Sequence, residues 1–150
     1  VFAYANHKVL KSWPVDDCIV SIMKFPNGVI GKVFVSIGCK RKYTMRSVFY
    51  GDKGTIIVDT LLPYITMFKD TLYDPVYRYT SQSTETIPVQ LDVSVATHNI
   101  SAEMDEFVDI ILNDKSVITD GIQGASTVSA CIAAVESTHT GETVFPVYDF

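Results

Sequence analysis

Long apolar runs are missing from this 150-residue sequence. None approaches the roughly 18 residues of a membrane-spanning helix, so a helical membrane span is not expected. Cysteine is scarce. Cys18, Cys39 and Cys131 are odd in number and far apart. That spacing speaks against a disulfide framework or a zinc site and predicts a reducing, cytoplasmic setting. Concentrated positive charge is also absent. Net charge is −5 and no basic run exceeds Lys40-Arg41-Lys42, so nucleic acid is not an expected partner. The opening VFAYANHKVL is too short and too polar for a signal peptide. Asn99-Ile100-Ser101 fits the glycosylation sequon, which without secretion has no consequence. What remains is ordinary globular material. Hydrophobic residues make up 47% and charged residues 19%, enough for one domain with a sizeable core.

The chain is organised around residues 16–39, two apolar-rich runs flanking Pro26-Asn27-Gly28. Asn-Gly between such runs signals a hairpin. A two-residue loop would waste Pro26, which has no N–H to give to a pair. A three-residue loop places Pro26 and Asn27 in a type I turn and Gly28 in the left-handed bulge position. Phe25 then faces Val29, Ser21 faces Val33 and Ile19 faces Val35. One face carries Ile19, Met23, Phe25, Val29, Val33, Val35 and Ile37. The other carries Cys18, Val20, Ile22, Lys24, Ile30, Lys32, Phe34 and Ser36. This second face is half apolar, as a subunit or domain interface would be; the alternative is a solvated face with a few stray apolar residues.

Along the rest of the chain, Val1 to Asn6 reads as a strand. The sequence opens inside it, without a lead-in, which points to a piece of a longer protein. Lys8 to Pro14 is a connection. Further strands are expected over Tyr43–Tyr50, Thr55–Asp59, Pro63–Phe68, Val76–Thr80 and Thr86–Val93. Turns are expected at Gly51-Asp52-Lys53-Gly54 and Asp70–Asp74, with a polar loop tip over Ser81–Glu85. Near Ser101 the apolar period lengthens to a helical one, with Ile100, Met104, Phe107, Val108 and Ile111 on one face. That predicts a helix ending at Asn113-Asp114, pressed onto the sheet by Phe107 and Val108. A second helix is expected from Asp120, with Gln123 completing a capping-box-like pair, to His139 and Gly141. Its predicted inner stripe is Ala125, Val128, Ile132 and Val135, and Thr143–Tyr148 reads as a closing strand. Strands followed by helices give an α+β class: a largely antiparallel open sheet with two helices packed on one face.

Catalytic chemistry is hard to find. Gly51-Asp52-Lys53-Gly54 lacks the helix and Lys-Ser/Thr pair of a phosphate loop. Gly121-Ile122-Gln123-Gly124 reads as a helix start. His7, His98 and His139 have no His or Cys three or four residues away, so no metal site is expected. Cys131 reads as a packed, inert thiol. No serine has a nucleophile-elbow setting. Asp16 and Asp17 point to opposite sides of a strand and cannot pair. The best remaining binding candidate is the basic loop Lys40-Arg41-Lys42 with Tyr43, able to meet a sugar hydroxyl, a carboxylate or a phosphate; the plainer reading is a solvated turn, since charged surface turns are routine.

Several segments together resemble one family. Val15-Asp16-Asp17 followed by a strand, Phe25-Pro26-Asn27-Gly28-Val29-Ile30-Gly31 and a second strand ending near Ser36 is similar to its "D–D … F-x-N-G-x-x-G … S" segment. Tyr50-Gly51-Asp52-Lys53-Gly54-Thr55 is similar to its "x-G-x-x-G-T" turn. His98, Glu103, Phe107 and Ile110 resemble "H … E … F … I", and Asp120-Gly121, Ala130, Ser137, Gly141 and Val144 resemble "D-G … A … S … G … V". The pattern resembles the C-terminal domain of the Gfo/Idh/MocA oxidoreductases over nearly the whole chain.

The resemblance implies a two-domain NAD(P)-dependent parent acting on a sugar, cyclitol or related alcohol. It implies an N-terminal Rossmann domain with GxGxxG and Lys-Pro motifs, and a helix with an Asp-x-x-x-His acid/base. None of these motifs stands in this sequence. No Asp lies four residues before His7, His98 or His139, and His7 follows the opening strand, so no catalytic histidine is assigned. Residues 1–150 are expected to form a single, non-catalytic domain with no cofactor site of its own, NAD or NADP belonging to the parent. A homodimer through the open sheet face is expected, with Val20, Ile22, Ile30, Lys32 and Phe34 at the interface. The alternative is a stand-alone binding or dimerisation module. A self-sufficient hydrolase lacks a nucleophile–base pair.

Overall fold

The computed structural model describes residues 1–69, 88–93 and 99–150. The strands expected over Val76–Thr80, the turn at Asp70–Asp74, the loop tip at Ser81–Glu85 and His98 lie outside the described residues. Two compact units divide the chain: Val1–Arg41 with Asn113–Phe150, and Lys42–Leu112.

In the first unit, β1 (Phe2–Asn6), β2 (Cys18–Lys24) and β3 (Ile30–Ser36) form an antiparallel sheet in the order β1-β2-β3. The hairpin register is the expected one: Ile19 pairs with Val35 and Ser21 with Val33. The Phe25 amide donates to the Val29 carbonyl and the Gly28 amide to the Phe25 carbonyl, both at 2.9 Å. Gly28 takes φ 85°, the left-handed position that closes such a three-residue loop.

Helix α2 (Gly121–Thr140) belongs to the same unit. The Asp120 side chain accepts the Gln123 amide at 2.9 Å, and Gly141 at φ 72° donates its amide to the Ser137 carbonyl. Both ends are therefore capped as the sequence predicts. Its packed face is not the predicted one. Ala133, Ala134 and Ser137 are buried, whereas Val128, Ile132 and Val135 are more than half exposed. Small side chains let the helix backbone approach β1 closely enough for a side-chain hydrogen bond to the strand, which branched aliphatics would prevent. Cys131 is correspondingly exposed rather than packed.

The expected closing strand at Thr143–Tyr148 is not one. Val144 alone exchanges hydrogen bonds with Val1, at 2.8 and 2.9 Å. Pro146 has no amide to continue a ladder, and the Val147 amide goes instead to Ser129 Oγ.

In the second unit, β4 (Arg46–Gly51), β5 (Gly54–Asp59), β6 (Tyr64–Lys69) and β7 (Val89–Asp92) form a second antiparallel sheet in sequence order. Gly51 pairs with Gly54 across the Asp52-Lys53 turn. Here the expected first strand is shorter, starting at Arg46 rather than Tyr43. Helix α1 (Ile100–Asn113) forms where the period changed, but none of its residues is buried. Phe107 and Val108 are 57% and 50% exposed, which corrects the expectation that they press the helix onto a sheet. The class is α+β, with antiparallel open sheets and α2 lying against β1.

Candidate functional site

Strand alternation puts one set of β1–β3 side chains on the side away from buried Ala3 and Ser21. Three-strand rows cross that side. Tyr4 pairs with Val20 and Val20 with Phe34; Phe2 pairs with Ile22 and Ile22 with Lys32. The Lys24–Ile30 pair closes the hairpin end. Phe2 and Tyr4 meet edge to face with ring centroids 5.0 Å apart. The rows stay open to solvent: Tyr4 is 67%, Ile30 71% and Phe34 64% exposed. The residues expected at an interface, Val20, Ile22, Ile30, Lys32 and Phe34, are thus brought to one face.

The basic loop follows β3. Lys40 and Arg41 end the first unit's leading segment, and Lys42 and Tyr43 begin the second unit. All four are exposed, and the Tyr43 hydroxyl donates to Met45 Sδ at 3.2 Å.

Sequence reasoning missed the role of Asp17. Its side chain is 2% exposed, whereas Asp16 is open to water. Asp17 Oδ2 accepts the Val9 and Leu10 amides at 2.6 and 2.7 Å. The Leu10 amide is the main cause holding this carboxyl below its usual value; burial opposes it, while the Val9 and Lys8 amides and the charge on His7 add to it. The signals in the sequence were an acid opening a strand behind an irregular connection and its place in the Val15-Asp16-Asp17 segment. Asp17 therefore fixes the loop that joins β1 to β2.

Neither glycine pair suits a dinucleotide. A Cβ on Gly121 or Gly124 would meet nothing, so no close backbone approach is reserved there, and the Asp120 carboxylate already occupies the N-terminus of α2. Gly54 sits at φ 152°, where a Cβ would overlap the Phe68 carbonyl oxygen, and serves the β4–β5 turn. These residues do not fit a pyrophosphate. Among the described residues, no group of three or more His, Cys, Asp or Glu side chains could hold a metal ion, and no helix is long and apolar enough to cross a membrane.

Comparison with known proteins gives the context. No curated protein matches. The crystal structure of an oxidoreductase domain protein from Kribbella flavida is similar in fold, with a TM-score of 0.70 at 14% identity. The match covers 93% of this chain and 42% of that one, so the present chain spans less than half of its structural relative. The profile described as "Oxidoreductase family, C-terminal alpha/beta domain" matches residues 1–146. With the hairpin, the capped α2 and the open sheet in place, this chain belongs to the Gfo/Idh/MocA oxidoreductase family, as its C-terminal α/β domain.

Proposed function

We propose that this chain is the substrate-side and oligomerisation domain of an NAD(P)-dependent oxidoreductase acting on a sugar, cyclitol or related alcohol, and that it is not catalytic by itself. NAD or NADP is held by an N-terminal Rossmann domain in the parent protein, and the basic residues Lys40, Arg41, Lys42 and Tyr43 face the substrate. The observation that carries the reading is the open apolar face of β1–β3. On it Tyr4, Ile22, Ile30 and Phe34 are large side chains left in water, with Phe2 and Val20 half-buried between them. Covering them contributes about 25 cal/mol per Å² of apolar surface, before the costs of association.

The occupant is a second copy of the same face, related by a two-fold axis. Lys24 and Lys32 flank the apolar band and must be offset from their copies or meet acids. Light scattering tests this. The wild type is expected to be a dimer at micromolar concentration, and Phe34→Glu a folded monomer. A monomeric wild type, or a dimeric variant, overturns the sheet-face assembly. The enzymatic parentage is tested separately by the residues encoded before Val1. A GxGxxG-bearing half in the same frame supports it, and a stand-alone gene overturns it.

A further inference from the structure

Residues 7–17 join β1 to β2 without regular structure, yet they are tied down at many points. Besides the two amides on Asp17, the Trp13 amide donates to the Leu10 carbonyl at 2.9 Å, and His7 Nε2 lies 2.6 Å from the same oxygen. An irregular segment held this firmly is preorganised for contact with something else. The same loop leans on the end of β3. The Ile37 amide donates to the Asp17 carbonyl at 3.0 Å, and a Cβ on Gly38 would stand 2.8 Å from Val9 Cβ. Lys8 adjoins Val9, and Lys40 and Arg41 follow Gly38. The segments that carry Lys8 and Lys11, and Lys40 and Arg41, therefore leave the first unit's sheet at the same end.

All four cations are exposed, and among the described residues none forms an ion pair with a carboxylate. The two segments hold only Asp16 and Asp17 as acids, and Asp17 is spent on backbone amides. On a chain of net charge −5, this end concentrates positive potential. Lysine and arginine supply donors and no acceptors. A ligand group rich in acceptors and negatively charged complements them, with Arg41 able to engage two oxygens at once.

We propose that this end of the β1–β3 sheet binds the phosphate or carboxylate group of a small-molecule ligand, through Lys8, Lys11, Lys40 and Arg41. The proposal rests on the substrate-side reading above and gives it a substrate class. Trp13, 56% exposed, flanks the site and is the only tryptophan in the chain, so its emission reports on this loop alone.

The test titrates the chain with inorganic phosphate, malonate and glucose in turn, at ionic strength fixed with chloride. A saturable change in Trp13 emission with phosphate or malonate is expected, and whichever anion saturates at lower concentration identifies the group. The Lys11→Gln/Lys40→Gln double variant, folded by circular dichroism, should bind about tenfold more weakly, as loss of two exposed charge contacts implies. Lys53→Gln, in the β4–β5 turn, should match the wild type. A response to either anion that the double variant retains, or that Lys53→Gln loses equally, overturns the site. Saturation by glucose alone, lost in the double variant, overturns the anion assignment and leaves the substrate-side reading standing. Silence with all three overturns both.

Discussion

Ser137 Oγ accepts the Ala3 amide at 3.0 Å, joining the last turns of α2 to the first strand across most of the chain's length. The same hydroxyl donates to the Glu142 carbonyl at 2.7 Å. One buried group thus satisfies an edge amide of β1 and fastens the segment that leaves the helix. Ala3, at the other end of the bond, is itself buried, so water cannot substitute.

Ser137→Ala should therefore cost about 1–3 kcal/mol, the penalty for leaving a buried amide without a partner. Urea unfolding of the two proteins measures it. A loss below about 0.5 kcal/mol, the range of an indifferent surface change, would show that the hydroxyl does not hold β1 to α2.

Asp17 predicts a pH dependence. Its carboxyl is held below the ordinary value of 3.8, chiefly by the Leu10 amide. The unfolded chain then takes up a proton at a pH where the folded chain still refuses one. The stabilisation from Asp17 is fully present above 3.8 and is lost as pH falls through the lower folded value. The stability gap between the wild type and Asp17→Asn should thus shrink as pH falls from neutral to below 3.8. A gap that stays constant over that range means the charge on Asp17 plays no part in holding the loop.

Gly54 makes a backbone prediction. At φ 152°, with the Phe68 carbonyl oxygen in the space a Cβ would take, no side chain fits without moving strand β6. Gly54→Ala should cost more than about 1 kcal/mol, beyond the usual gain from replacing glycine. Gly51→Ala, whose Cβ would meet only ordinary contacts at 3.5 Å, is the matched control. Equal thermal shifts in the two variants would count against the turn geometry.

The legible parts of this fold were those encoded locally. Pro26, Asn27 and Gly28 specify one loop between them, so the hairpin register and both its faces followed from three residues. Asp120, Gln123 and Gly141 likewise mark the ends of α2. The packed face of that helix was not legible, because apolarity pointed to Val128, Ile132 and Val135 while closeness of approach selected Ala133, Ala134 and Ser137. Asp17 was missed for a related reason: its partners are amides seven and eight residues back, and backbone amides leave no trace in side-chain patterns.

Helix α1 shows the limit of periodicity. Its stripe is real, but Phe107 is 57% exposed. Phe107→Ala should cost under about 1 kcal/mol by urea unfolding of this chain, against the 3–5 kcal/mol typical of a buried phenylalanine. A loss in the larger range would mean that α1 is covered in solution.

Cofactor binding gives the last prediction. Dinucleotide sites put a pyrophosphate against bare amides at a helix start, with glycines that let the backbone come close. At the start of α2 the Gln123 amide is already taken by the Asp120 carboxylate. That negative charge stands where a phosphate would have to sit, and like charges there repel. The β4–β5 turn has glycines but leads into a strand, so it offers no helix dipole. This 150-residue chain should bind neither NAD nor NADP. Calorimetric titration with each dinucleotide checks it. A micromolar dissociation constant for either would place a cofactor site in this domain, and Asp120→Asn would then show whether the start of α2 is that site, since removing the repelling charge there should tighten binding.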